Sequence, residues 1–233
     1  MRINKFLANA GIASRRKVEE YIISGRVKVN GKLILELATD VGPDDIVLFD
    51  NKKVDIGINF EYYMLNKPKG YISTASDDRG RKTVVSLIKS SARIYPIGRL
   101  DYDSEGLLLL TNDGELTNKL THPKHNIAKT YIAKINSTLN EIEKQKLENG
   151  IVIDGYKLHP CQIQILEQNK ECTELNIIIY EGRNREIRKM FDSLNKKVIF
   201  LKRVKIAELS LGNLKRGEYR SLTNKEVDYL KNL

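Results

Sequence analysis

The chain has 233 residues, 41% hydrophobic and 30% charged, the composition of an ordinary soluble globular protein with room for one large domain or a medium and a small one. No apolar run approaches the ~20 residues of a membrane span, and "MRINKFLANAG" lacks the apolar core and cleavage site of a signal peptide. The net charge of +10 favours a polyanionic partner, nucleic acid ahead of an anionic membrane.

In chain order, "INKFLANAG" places Ile3, Phe6, Leu7 and Ala10 at helical spacing, and Gly11 makes a C-terminal stop. Ser14 caps a second helix whose Val18, Tyr21 and Ile22 share a face, ended by Gly25. "RVKVNGKLI" alternates around Asn30-Gly31, a hairpin signal, and "DIVLFD" adds a strand after an acidic turn with Gly42 and Pro43. Residues 1–32 carry eight Lys/Arg against two Glu. Arg15, Arg16, Lys17, Arg26 and Lys28 crowd the junction of helix and hairpin, where they could bind RNA or only solvate a helix start. Consecutive cations at a helix N-terminus oppose its dipole, which a chain accepts more readily where an anion is bound.

From about Phe60 the texture changes. "YYMLNK" reads as a strand, followed by a Lys/Pro/Gly loop and a helix start; "GLLLL" as a buried strand; "NDG" as a turn into a helix; and "KTYIAKI" as a strand. Thr138 with Glu141 suggests a capping box ahead of a helix closed by Gly150. "IVIDGYKL" is a hairpin through Asp154-Gly155. "ELNIIIYEGRNREIRKMFDSL" is a strand running into a helix striped by Ile187, Met190, Phe191 and Leu194; "VIFLKRVKIAELSLG" gives further strands, and Thr223 with Glu226 caps a last helix. Short strands and helices without regular alternation argue an α+β fold with a mixed sheet. The expected domains are 1–58 and 59–233. Cys161 and Cys172 form no CxxC pattern, and His122, His125 and His159 are not spaced as metal ligands, so we expect no disulfide and no metal, in a reducing cytoplasm.

The stretch "PIGRLDYDSEGLLLL" sets Asp101 where the chain enters the core. A carboxylate there requires a cation or several hydrogen bonds. On its own it also suits a turn aspartate capping local amides. Asp103 and Glu105 read as solvated loop acids. "EGRNREIRKM" can supply the cation: Arg188 flanks an apolar stripe, so it should be half-buried and should seek a carboxylate, holding Asp101 oriented. Arg183 and Arg185, at the helix start, could face phosphates. Residues 181–220 carry twelve Lys/Arg against five acids, a second basic region apart from the first.

The stretch "INKFLANAGIASRRKVEEYIISGRVKVNGK" resembles the small RNA-binding domain shared by small-subunit ribosomal protein four, tyrosyl-tRNA synthetases and several RNA-modifying enzymes. "KPKGYISTASDDRGRKTV", "PIGRLDYDSEGLLLLTNDGEL", "KTYIAKI", "EGRNREIRKMF" and "FLKRVKIAELSLGNLKRGEYRSL" resemble, in order, the motifs of the bacterial ribosomal-RNA pseudouridine synthases of the RsuA/RluB/RluE/RluF type. That resemblance implies a cofactor-free isomerase in which Asp101 is the catalytic aspartate, acting as nucleophile or as base at the sugar. It makes Tyr131 the aromatic that stacks on the flipped base, Arg188 the aspartate's partner, and Leu201 an apolar wall for the uracil; Arg99, beside the aspartate, joins the substrate-binding set. Ser104 stands where the family often has threonine and keeps the hydroxyl. The implied partner is ribosomal RNA, large-subunit RNA slightly favoured, and the enzyme a monomer. Two rival readings remain: a non-catalytic RNA-binding factor in ribosome assembly, and a glycoside hydrolase needing two cooperating acids.

Overall fold

The computed structural model describes residues 1–55 and 59–233, so residue 58, the expected end of the first domain, lies outside the described residues. The chain divides into two compact units, one of residues 1–61 with 91–93 and 112–114, the other of the remainder.

The first unit runs α1 (Ile3–Asn9), α2 (Arg15–Ile23), β1 (Val27–Val29), β2 (Lys32–Ile34), β3 (Val47–Phe49) and β4 (Lys52–Lys53). Its antiparallel sheet has the order β2-β1-β3-β4. Ser14 Oγ accepts from the Lys17 N–H and caps α2 as expected. Asn30 and Gly31 both take positive φ, +50° and +80°, the backbone a two-residue hairpin turn requires. Ile3, Leu7, Val18, Ile22 and Val27 are fully buried, so the helical faces read from the sequence meet the sheet.

The second unit contains β5 (Tyr62–Lys67), β6 (Tyr95–Ile97), β7 (Glu105–Thr111), α3 (Gly114–Thr121), β8 (Lys129–Ile135), α4 (Glu141–Glu148), β9 (Val152–Ile153), β10 (Tyr156–Lys157), β11 (Gln162–Gln168), β12 (Thr173–Ile179), α5 (Glu186–Asp192), β13 (Val198–Ile206), β14 (Leu209–Ser210), β15 (Tyr219–Ser221) and α6 (Asn224–Lys231). Seven strands lie in the order β11-β12-β8-β13-β7-β5-β15, with β14 on β13 and β6 on β7. β13 and β7 pair in parallel and the other neighbours antiparallel, so the sheet is mixed, as expected.

β7 is buried along its whole length, which is why its leucines run without alternation. β8 and β12 alternate buried and half-buried residues. One cross-strand row runs Lys67, Gly106, Arg203, Tyr131, Ile177. Gly106 has φ +108°, and a Cβ there would lie 2.7 Å from the Arg203 backbone nitrogen, so only glycine lets β7 and β13 meet at this point.

Three local expectations are corrected. The capping box of α4 is Asn140 with Glu143, two residues beyond Thr138 and Glu141; the amide side chain of Asn140 accepts the Glu143 N–H at 2.9 Å. The helix start expected after the Lys/Pro/Gly loop is a single 3-10 turn, Val84–Leu87. Leu194 follows α5 instead of striping it.

Candidate active site

Asp101 sits on the loop between β6 and β7, and its backbone is held from two sides. Ser73 Oγ accepts the Leu100 N–H at 3.1 Å and donates to the Leu100 carbonyl at 2.8 Å. Lys67, fully buried at the end of β5, donates to the carbonyls of Pro68 (3.1 Å), Asp101 (3.0 Å) and Ser104 (2.8 Å). Burial pulls the Lys67 amine down to about 8, while Asp101, Asp103 and Glu105 oppose that shift. A buried ammonium with three carbonyl acceptors is satisfied without a carboxylate of its own. The tight loop therefore has a fixed course, and the Asp101 side chain leaves it toward a cavity while 29% exposed.

Arg188 is more deeply buried than the sequence suggests, with 8% of its side chain exposed. Its Nη1 donates to the Val198 carbonyl at 2.9 Å, and Nη2 to the Asp103 carbonyl and Ser104 Oγ, both at 3.3 Å. The expected pairing with Asp101 is present at 4.0 Å, from Nε to Oδ2, but the nearer carboxylate is Asp103, at 3.1 Å. Arg188 Nε is buried and makes no hydrogen bond among the described residues, so the donor closest to Asp101 is poised just beyond bonding range. Such contacts commonly tighten only once substrate is present. Arg185 also faces the pair, 3.3 Å from Asp103 and 4.0 Å from Asp101, so its guanidinium belongs to the two aspartates as well as to solvent.

Asp103 is thus an ion-pair member rather than a solvated loop acid. Glu105 is corrected further: it is buried at the start of β7 and paired to Arg216 at 3.3 Å. Glu105 opens a strand that is buried on both faces, which a reading of the loop as all polar misses.

A cavity of about 650 Å³ opens beside Asp101, and Tyr131, Leu201, Arg99 and Arg203 line it with Asp101. That volume is within the range that encloses one small ligand. Tyr131 on β8 and Leu201 on β13 are buried, whereas Arg99 is exposed at the rim. Arg203, next to Tyr131 in the cross-strand row, donates from Nη1 to the Tyr131 hydroxyl at 3.4 Å and from Nε to the Leu107 carbonyl at 2.7 Å. Tyr131 is therefore tethered at its hydroxyl, and its ring forms part of the cavity wall.

Lys129, Glu181, Glu186, Tyr156 and Arg183 also line the cavity. Burial raises the Glu186 carboxyl to about 7 and lowers the Lys129 amine to about 8. Glu186 Oε2 accepts the Arg183 N–H at 2.7 Å, and Arg183 Nε donates to Glu181 at 3.1 Å. Arg183 thus stands at the rim with its backbone and side chain both anchored.

Sequence reasoning missed Lys67, Arg203 and the Glu105–Arg216 pair. The signals were there: Lys67 ends an apolar strand directly before Pro68, and period-two alternation puts Arg203 on the face of Leu201. Among the described residues no cluster of three or more His, Cys, Asp or Glu is placed to hold a metal ion.

In the first unit, the five basic residues differ in what they already hold. Arg26 pairs with Asp50 through both nitrogens and lies over the rings of Tyr21 and Phe49, 4.2 and 4.6 Å from their centroids. Lys17 is paired to Glu20 at 2.5 Å, and Lys28 donates to Asn51 at 3.0 Å. Arg15 and Arg16 are exposed at the start of α2.

A basic two-helix module followed by a mixed sheet, with two arginines facing a pair of aspartates beside a cavity, fits an enzyme that works on RNA. Comparison with known proteins agrees. Residues 1–47 match the S4 domain, and residues 61–193, more than half of the chain, match the RNA pseudouridylate synthase family. The ribosomal large subunit pseudouridine synthase B of Bacillus subtilis is 46% identical over all of this chain and 96% of its own length. An uncharacterized RNA pseudouridine synthase of Aquifex aeolicus is 40% identical over 99% of this chain and 93% of its own. A crystal structure of a pseudouridylate synthase superposes with a TM-score of 0.72 at 30% identity, covering 99% of both chains. The chain belongs to the RNA pseudouridine synthase family: it is an isomerase that turns uridine into pseudouridine, and its fold is an S4 domain followed by that family's catalytic domain. Among the described residues, no helix is long and apolar enough to cross a membrane.

Proposed function

We propose that the chain isomerises a uridine of ribosomal RNA, specifically of the large subunit, with Asp101 as the catalytic residue. The reading rests on one arrangement. Asp101 is fixed by Lys67 at its own carbonyl and by Ser73 at the preceding Leu100, faced by Arg188 and Arg185, and opens into a cavity walled by Tyr131 and Leu201. The name of the Bacillus subtilis relative supports the choice of large-subunit RNA.

The reaction breaks the bond from ribose carbon-1′ to uracil nitrogen-1, turns the base, and joins carbon-1′ to carbon-5. Nitrogen-1 gains a proton and carbon-5 loses one. A single carboxylate acting at the sugar suffices, and the guanidiniums beside Asp101 aim it. The target base must leave its stack, and the ring of Tyr131 receives it while Leu201 excludes water from the detached uracil. Arg99 at the rim, with Arg185, meets the backbone phosphates, and Arg183 meets the RNA beside them. Residues 1–58 act as a separate grip on the same RNA, through Arg15 and Arg16 first and Lys17, Arg26 and Lys28 second; residues 59–233 carry the chemistry. Such a substrate places the enzyme in the cytoplasm, and the reading takes it as a monomer, which light scattering checks.

The deciding experiment is tritium release from carbon-5 of uridine-labelled ribosomal RNA, with pseudouridine mapping in a strain lacking the gene. Release from large-subunit RNA, and one missing pseudouridine there, is the expected result. Release from small-subunit RNA alone overturns the substrate assignment, and none from either overturns the function.

A further inference from the structure

We propose that Tyr156 and Arg183 form a stacking platform for a second nucleotide, the neighbour of the uridine that enters the cavity. The inference rests on the pseudouridine reading above. Tyr156 lies on β10, which pairs with β9 in a two-stranded hairpin. Its turn, Asp154-Gly155, takes φ +52° and +77°, the left-handed pair that matches strand twist in a tight hairpin. The hairpin is held at its base by the Leu158 N–H donating to the Ile151 carbonyl at 2.9 Å, both side chains buried. It is held at its tip by an ion pair from Asp154 to Lys189 of α5.

Arg183 packs over this hairpin, its guanidinium carbon 3.1 Å from the centre of the Tyr156 ring. Glu181 fixes the edge of the guanidinium at Nε, and the second oxygen of Glu181 is occupied by the His159 N–H at 2.7 Å. One face of the guanidinium is covered by the ring, yet 48% of the side chain remains open to solvent. An aromatic-backed, edge-anchored guanidinium with an open face is a surface on which bases stack, because the cation is planar and weakly hydrated. Tyr156 and Arg183 also line the same cavity as Asp101 and Tyr131. When a uridine swings into that cavity, its neighbour in the RNA loses a stacking partner. A platform at the rim replaces that partner and offsets part of the cost of flipping.

The test uses the full chain and a short ribosomal hairpin carrying the uridine identified by tritium release. If the unaltered protein releases no tritium from any ribosomal RNA, the underlying reading fails and the platform with it. With release established, 2-aminopurine is placed on each side of the target in turn. Fluorescence at one of the two positions should be quenched on binding. Tyr156→Ala and Arg183→Lys should both lose the quench, since lysine keeps the charge without the plane, and Tyr156→Phe should restore it. The same two losses should raise the half-saturating RNA concentration in single turnover by about tenfold. Quenching that survives in Tyr156→Ala, or an Arg183→Lys protein that behaves as the parent, overturns the platform. Arg183→Lys, altered at a residue half open to water, supplies the answer alone if Tyr156→Ala fails to fold.

Discussion

Arg188 lies closer to Asp103 than to Asp101, 3.1 Å against 4.0 Å, although all three side chains converge on one loop. The arginine therefore ties the loop, through Asp103 and Ser104, to Val198 at the start of β13, and its Nε remains available to the aspartate at the cavity. Asp101→Asn keeps the shape of the side chain and removes its charge and nucleophilicity. Tritium release should fall by far more than tenfold, with fold and RNA affinity retained. A variant within tenfold of the parent, about 1.4 kcal/mol of barrier, ends the catalytic assignment.

Arg188→Met should cost both activity and stability. A fully buried ion pair that loses one member costs roughly 3–5 kcal/mol. Here both aspartates reach water, so the expected loss is smaller, about 1–3 kcal/mol, mainly from carbonyls left unpaired. Urea unfolding measures it, and an unchanged midpoint with unchanged slope would show that Arg188 does not hold the loop.

Glu186 gives stability a pH signature. Its carboxyl is raised from 4.5 to about 7, so between those values the folded chain binds more protons than the unfolded one, and stability falls as pH rises. Glu186→Gln can still accept the Arg183 N–H and lacks the charge. The two proteins should be about equally stable near pH 4, and the variant the more stable at pH 8, by on the order of 1–3 kcal/mol. Thermal unfolding across that range checks the sign; a gap that does not widen with pH contradicts it.

Gly106→Ala should be among the most damaging changes. The φ of +108° suits glycine alone, and the new methyl would press on the Arg203 backbone. Strain and overpacking together should cost at least about 3 kcal/mol. Loss of the cooperative unfolding transition, or a large drop in its midpoint, is the expected observation, and a near-neutral variant would show that β7 and β13 can separate there.

In the S4 domain, Arg15→Ala with Arg16→Ala should weaken RNA binding and flatten its salt dependence by about two phosphate contacts. Lys17→Ala should add little, because Lys17 already holds Glu20. Affinity across a salt series reads this directly; an unchanged slope means that the two arginines only solvate a helix end.

Much of this was legible before any coordinates. Helix faces, the Asn30-Gly31 hairpin and the buried run Leu107–Leu110 follow from local periodicity, which a sequence displays directly. Asp101, Tyr131, Arg188 and Leu201 could be named because they sit in motifs, and the fold sets Asp101, Tyr131 and Leu201 around one cavity with Arg188 4.0 Å from Asp101. What stayed hidden depends on strand register. Lys67, Gly106, Arg203 and Tyr131 come from four strands, and only their pairing shows that they form one row. The α4 cap slipped by two residues for a humbler reason: threonine and asparagine both cap well, and propensity does not choose between adjacent candidates.

The three-carbonyl cage around Lys67 also makes that residue a chemical reporter. An amine lowered to about 8 would ordinarily be among the first to react with an acylating reagent, since more of it is uncharged at neutral pH. Enclosed as it is, it can react only when β5 and the Asp101 loop part. In a timed acetylation read by mass spectrometry, surface lysines such as Lys52 should label early, and Lys67 should follow the opening of the active-site loop. RNA that closes over the loop should slow that one modification while leaving the exposed sites of the same domain largely as they were.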